Sequence, residues 1–203
     1  MLTLFASHSP CSMVVTVALE KARVEYKLNR IDIDKLEHES PEYLKVNPKG
    51  RVPSLLTPDG TITEALGIIF YLHKKYPVAQ ILPRSLTFIE STCFLSWITS
   101  HIQPHCMQYC NYASGLSFDA LVLKNQAEGQ LKSAFEVIQK RLKNSMFWCE
   151  EDWSVLDVYL YCMVRHLKEA GFDFSAFGRI TEHYERLTRI PVIYRAQSKD
   201  SLY

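Results

Sequence analysis

No apolar run in the 203 residues approaches the roughly 20 that a helix needs to cross a bilayer, so no membrane segment is expected. The opening Met1-Leu2-Thr3-Leu4-Phe5-Ala6-Ser7-His8-Ser9-Pro10 lacks a positively charged start, and its apolar run breaks before it reaches the length of a signal core. A cytoplasmic location is the expectation. Charge of one sign is missing too. Twenty-three Lys and Arg against 22 Asp and Glu leave a net charge of +1, with no footprint for nucleic acid or an anionic membrane surface. The six cysteines (Cys11, Cys93, Cys106, Cys110, Cys149 and Cys162) show no C-x-x-C pair and no paired metal-ligand spacing, which suits free thiols in a reducing compartment. Cys106 and Cys110 stand four apart with His101 and His105 nearby; ordinary helix packing is preferred there, and no metal is expected.

What is present is the composition of a globular protein with a real core: 47% hydrophobic and 22% charged residues, over a length that suits one large domain or two small ones. Leu2 to Phe5 reads as a strand. After Pro10, the residues Met13, Val14, Val17, Ala18 and Ala22 fall at helical spacing, and Tyr26 to Ile33 alternates with period two. Strand, helix, strand with a right-handed crossover gives a parallel pair. Pro41 to Leu44 suggests a short helix with proline in its first turn. Ser54 to Thr57 and Thr61-Ile62 flank a Pro58-Asp59-Gly60 turn as a hairpin, and a helix follows from Glu64 to about Tyr76. A parallel pair followed by a hairpin is the order of a thioredoxin-like domain.

Beyond Pro77 to Pro83 no strand pattern survives. Phe88 to Tyr112 is aromatic-rich and helical, and Pro104 should kink or interrupt it by its lost N–H. Leu121, Ala127, Leu131, Ala134, Phe135, Ile138 and Leu142 mark a long helix from Phe118 to Lys143. Leu156 to Ala170 is nearly all apolar in its first two turns, so it should be the central buried helix. Ser154 and Asp157 at its start fit a capping box, with Asp in place of the usual Glu or Gln. Further helices are expected from about Ser175 to Leu187 and from Pro191.

The stretch Asn47-Pro48-Lys49-Gly50-Arg51-Val52-Pro53-Ser54-Leu55 organises the first half. Pro53 biases Val52 to an extended conformation, in which the Val52 N–H and C=O can pair with an extended peptide.

These motifs in this order (Asn47 to Leu55, then Thr63-Glu64-Ala65, then Ser154-x-x-Asp157) resemble those of a cytosolic glutathione transferase over essentially the whole chain. Ser9-Pro10-Cys11-Ser12 followed by Ala18-Leu19 looks most like the bacterial beta class, with features shared by the zeta and theta classes. The resemblance implies an α/β thioredoxin-like domain at 1–76 that binds glutathione, a linker at 77–86 and an all-helical domain at 87–203. It implies glutathione as co-substrate, a small electrophile as second substrate, and a homodimer. The matching family proline is cis, which implies that Val52 and Pro53 hold the cysteinyl unit. Glu64 would meet the γ-glutamyl ammonium, and the N–H of residue 65 its carboxylate. Ala65 stands where the family has Ser or Thr, and the lost hydroxyl would weaken binding about tenfold. Lys35, His38, Lys49 and Arg51 are candidates for the glycyl carboxylate, with Lys35 and Arg51 preferred.

Family chemistry needs the glutathione thiol as thiolate, whereas a free thiol near pKa 8.5 is only partly ionised at neutral pH. Cys11 falls on the beta-class cysteine and Ser9 on the zeta-class serine. Cys11 is expected beside the glutathione sulfur, with Ser9 or Ser12 completing a polar shell. His8, His105, Tyr109 and Tyr112 are candidates for the electrophile pocket, while Gln103 occupies the place of the beta-class helix histidine. The implied activity is conjugation of glutathione to a small electrophile. The alternatives are thiol-disulfide exchange or dehalogenation through Cys11, and a binding module of the same fold without turnover.

Overall fold

A computed structural model describes residues 1–113, 118–149 and 152–200. They form two compact units: Met1–Ile81 together with the chain from Pro191, and Leu82–Ile190.

The first unit opens with β1 (Leu2–Ala6), α1 (Pro10–Ala22) and β2 (Tyr26–Arg30). β1 and β2 pair in parallel, as the strand, helix, strand pattern predicts. β2 ends three residues short of the alternation in the sequence. Ile31 N–H still reaches Ala6 O at 2.8 Å, but the Asp32 carboxylate then accepts the Lys35 N–H at 3.1 Å and turns the chain. After the four-residue α2 (Pro41–Leu44), the hairpin of β3 (Ser54–Thr57) and β4 (Gly60–Thr63) leads into α3 (Ala65–Lys75). Among the described residues the sheet order is β2-β1-β3-β4, with β3 antiparallel to both neighbours. Leu4, Val14, Val17, Leu55, Ile68 and Leu72 are fully buried, each such side chain contributing about 1.5–3 kcal/mol of transfer free energy.

The last helix, α9 (Pro191–Asp200), packs on α1 within this unit. The reading of 87–203 as one helical domain places α9 with the other helices. Ile193 and Ala196 are instead buried in the first unit, and Lys199 Nζ donates to Glu20 Oε1 at 2.5 Å. Tyr26 Oη donates to the same oxygen at 2.9 Å. Burial raises the Glu20 carboxyl pKa, but the bonds from Lys199 and Tyr26 and the charges of Lys199 and Arg195 outweigh it and leave the carboxyl below its ordinary value. A carboxylate depressed in the folded state adds stability above its unfolded pKa and loses it as pH falls through the folded one. Glu20→Gln should therefore cost about 1 kcal/mol at neutral pH. In urea titrations at stepped pH, that difference should shrink as pH falls below the ordinary carboxylate value and vanish once it has passed the lower folded-state value.

The second unit contains α4 (Phe88–Trp97), a π turn (Ile98–Ile102), α5 (Gln103–Tyr112), α6 (Phe118–Leu142), α7 (Val155–Glu169) and α8 (Gly178–Thr188). The interruption expected at Pro104 is this π turn, in which Gln103 N–H reaches back to Ile98 O. Pro104 then sits in the first turn of α5, where its missing N–H is tolerated. Twelve of the 15 residues of α7 are buried, as expected of the central helix. Ser154 and Asp157 form the capping box. α8 starts three residues later than its apolar pattern suggests, because Asp173 accepts the N–H (2.8 Å) and hydroxyl (3.0 Å) of Ser175 and holds that segment as a turn.

Candidate functional site

The register that pairs Phe5 with Ser54 and Ser54 with Thr63 brings the end of β1, the start of β3 and the end of β4 to one edge of the sheet. Three connections leave that edge: the turn before α1, the loop before β3, and the junction of β4 with α3. The sequence candidates of the first unit are concentrated on them.

The loop before β3 is held from within by a hub of buried polar side chains. Asn47 is 1% exposed, and its Oδ1 accepts the Lys49 N–H at 3.2 Å. Its Nδ2 donates to Arg51 O at 2.6 Å and to Ser54 Oγ at 3.1 Å. Tyr43 Oη donates to Arg51 O at 2.6 Å and shares a 3.0 Å bond with Ser54 Oγ. Burial raises the Tyr43 phenol pKa, keeping it a donor at neutral pH. Gly50 closes the turn with φ +58°, a conformation that disfavours a side chain, and a Cβ there would lie 3.1 Å from His38 O. The hub therefore fixes the carbonyl just before Val52.

The Val52–Pro53 peptide bond is cis. Val52 itself is half-buried against Phe5, Ile31 and Tyr43, and among the described residues neither its N–H nor its C=O has a partner. The sequence reading names Val52 and Pro53 but misses the hub. Asn-Pro-x-Gly reads as a tight turn, and nothing local shows that Tyr43, Asn47 and Ser54 converge on one carbonyl.

At the turn before α1, Ser9 is the N-cap, its Oγ accepting the Ser12 N–H at 3.3 Å and donating to Ser12 Oγ at 3.0 Å. Ser12 Oγ also accepts the Ser7 N–H at 3.1 Å. Ser12 is 1% exposed, so its hydroxyl braces the turn from inside and does not form part of an open polar shell. Ser9 and Cys11 remain half-exposed in the first turn of the helix, and His8 is exposed beside them.

At the third connection Glu64 adopts φ +69° as the N-cap of α3, and its side chain makes no cap bond. The first N–H groups of α3, beginning with Ala65, thus have neither an intrahelical acceptor nor a side-chain cap, the arrangement that suits a carboxylate. The Glu64 carboxylate is bound elsewhere: Lys49 Nζ lies 2.7 Å from its Oε1 and donates to Thr63 Oγ1 at 3.0 Å. Two residues expected at opposite ends of a tripeptide therefore pair with each other. Lys35 is likewise paired with Asp32 at 2.8 Å and is 75% exposed. Its hydrogen bond holds the Asp32 carboxyl below the usual carboxylate range. Of the expected cations, Arg51 is exposed and its side chain has no partner among the described residues. His38 is buried, with no hydrogen-bond partner on Nδ1 among the described residues.

The expected electrophile-pocket residues of the second unit have different environments. Tyr109 is 3% exposed and packs edge-on to Phe172 at 5.2 Å, so it is a core residue there. His105 Nδ1 bonds His101 O at 2.6 Å, and the two rings lie 4.7 Å apart. Tyr112 is half-buried. Cys106 and Cys110 face α7, their thiols donating to Met163 O and His166 O at 3.8 and 3.7 Å. The hydrogen-bonding contact with Cys110, together with burial, pushes the Cys106 thiol up and keeps it neutral.

Residues 1–74, which include all three connections, match the family described as glutathione S-transferase, N-terminal domain. Over 181 residues the chain is 33% identical to glutathione S-transferase 1 of Dianthus caryophyllus, an alignment covering 84% of this chain and 79% of that relative. The chain belongs to the glutathione S-transferase family. Among its relatives is the disulfide-bond oxidoreductase YfcG of Escherichia coli strain K12, 24% identical over 212 residues and aligned with 100% of this chain and 97% of that one. A bacterial beta class glutathione S-transferase of Sphingomonas chungbukensis superposes with a TM-score of 0.81 at 25% identity, over 99% of this chain and 100% of that one. This glutathione S-transferase thus carries the thioredoxin-like sheet and the helical unit that its motifs imply.

Proposed function

We propose that this glutathione S-transferase binds glutathione along the three connections and joins its thiolate to a small electrophile, acting as a homodimer. The observation that carries this reading is Val52, whose backbone donor and acceptor both lack a partner among the described residues, on a loop anchored through the adjacent carbonyl. An extended cysteinyl unit supplies the complementary pair. Arg51 takes the glycyl carboxylate, with His38 beneath the same loop. The N–H groups at the start of α3 take the γ-glutamyl carboxylate, and Glu64 takes the ammonium once it leaves Lys49. That exchange costs little, because an ion pair between side chains 52% and 64% exposed contributes no more than about 1 kcal/mol. Cys11, half-exposed at the start of α1, is placed beside the thiolate, which the helix N-terminus also favours.

Glutathione titration by calorimetry tests the assignment. Lys49→Gln should leave the dissociation constant unchanged or lower it up to about fivefold. Arg51→Gln should raise it about tenfold. The opposite ranking would move the glycyl carboxylate to Lys49, and no binding by the unsubstituted protein would remove the glutathione reading.

A second reading, thiol-disulfide exchange, is favoured by the YfcG relationship and the half-exposed Cys11. The Cys11 thiolate attacks one sulfur of glutathione disulfide, forms a mixed disulfide and releases one glutathione thiolate.

A further inference from the structure

α8 presents two faces of different character. Ile180, His183 and Leu187 are buried, while Arg179, Glu182 and Arg186, spaced by three and four residues, share a second stripe. Together with Lys143, Ser145 and Met146 from the segment after α6, that stripe walls a cleft of about 300 Å³. Three cations and one carboxylate therefore meet at one place in a chain whose net charge is only +1.

The cations are held in different ways. Arg186 is half-buried, donates through Nη1 to Met146 O and lies over the Phe147 ring at 5.8 Å. Arg179 Nη1 pairs with Glu182 Oε2 at 2.9 Å. The bonds to Met146 O and Glu182 each use one nitrogen of a planar guanidinium that has five N–H donors. The Lys143 ammonium and the Ser145 hydroxyl have no hydrogen-bond or ion-pair partner among the described residues. An anion entering the cleft thus meets fixed guanidinium donors, a mobile ammonium and a hydroxyl. The exposed Met146 side chain offers an apolar surface at the rim.

We propose that this cleft is a binding site for a phosphomonoester. The phosphate dianion lies among Arg179, Arg186 and Lys143, whose planar and point-charge donors suit its oxygens, with Ser145 as an additional donor. The ester carbon lies against Met146. The residues involved are separate from those assigned to glutathione.

Amide chemical-shift titration with inorganic phosphate, phenyl phosphate and succinate, all at constant ionic strength with chloride as the balancing salt, tests the site. The expected result is saturable shifts at residues 143–146 and 179–186, with phenyl phosphate bound more tightly than inorganic phosphate or succinate. Lys143→Gln combined with Arg179→Gln replaces two exposed side chains and should weaken phenyl phosphate binding by about tenfold or more while leaving glutathione binding unchanged. No saturable shift at residues 143–146 and 179–186 when phenyl phosphate replaces chloride at constant ionic strength, or equal affinity in the double variant, would overturn the site. Binding of inorganic phosphate or succinate as tight as that of the ester would overturn its assignment to phosphomonoesters.

Discussion

Asp157→Ala should lower the unfolding free energy of the second unit by about 3–5 kcal/mol, because several buried donors lose their acceptor at about 1–3 kcal/mol each. Asp157 is 1% exposed and its carboxylate accepts four hydrogen bonds. Oδ1 takes the Trp148 N–H at 2.7 Å and His183 Nε2–H at 2.8 Å. Oδ2 takes the Ser154 N–H at 2.9 Å and the Ser154 hydroxyl at 3.0 Å. Because His183 Nδ1 has no partner among the described residues, the ring proton belongs on Nε2, facing the carboxylate. Alanine would remove every one of these acceptors and leave the donors buried. A capping box alone contributes only about 1 kcal/mol; the remainder comes from Trp148 and His183, which tie α7 to the segment before it and to α8. Trp97, Trp148 and Trp153, the three tryptophans of the chain, all lie in this unit, so urea titration followed by tryptophan fluorescence reads it directly. The thermal midpoint should fall by about 10 °C for a chain of this size. A loss below about 1 kcal/mol would mean that Asp157 acts as a helix cap only.

The second large effect concerns the reacting thiol. Cys11→Ala should reduce glutathione-dependent conjugation by about 10- to 100-fold, the loss of one hydrogen bond to a charged group. It should also move the rising limb of the pH-rate profile toward the free thiol value near 8.5. Ser9→Ala should behave differently, because the Ser9 hydroxyl already accepts from Ser12 N–H and donates to Ser12 Oγ. Its loss should cost about 1 kcal/mol of stability as an N-cap and leave kcat/KM within about threefold. Conjugation of a chromogenic electrophile across pH 5.5–9, measured on both variants, separates the two roles. A collapse of activity in Ser9→Ala with Cys11→Ala unaffected would transfer the thiolate contact to serine. Mass spectrometry after incubation with glutathione disulfide addresses the second reading, since an adduct at Cys11 is its required intermediate.

Patterns local to the chain carried much of this structure. Apolar residues at helical spacing located α1, α6 and α7, and period-two alternation located β2. Pro104 marked the π turn, and Ser154 with Asp157 marked the start of the buried helix. In each case the cause lies within one turn or one strand: a missing N–H, a cap acceptor, or a face that water disfavours. Val52-Pro53 was legible for the same reason. The pairing of Lys49 with Glu64 was not, because those residues meet only when the loop before β3 lies beside the end of β4. The inward turn of Ser12 and the core position of Tyr109 were hidden in the same way, since a hydroxyl or an aromatic ring at helical spacing does not state which neighbour it will meet.

The sequence by itself determined which segments form helices and strands and which loop leaves a backbone pair open beside a proline. Only the tertiary structure decided that α9 joins the first unit, that Tyr43, Asn47 and Ser54 anchor Arg51, and that His183 completes the shell of Asp157. Backbone periodicity and capping are short-range and are written in neighbouring residues. Burial and the pairing of polar groups depend on residues brought together from distant parts of the chain, as His183 is brought to Asp157 from 26 positions away.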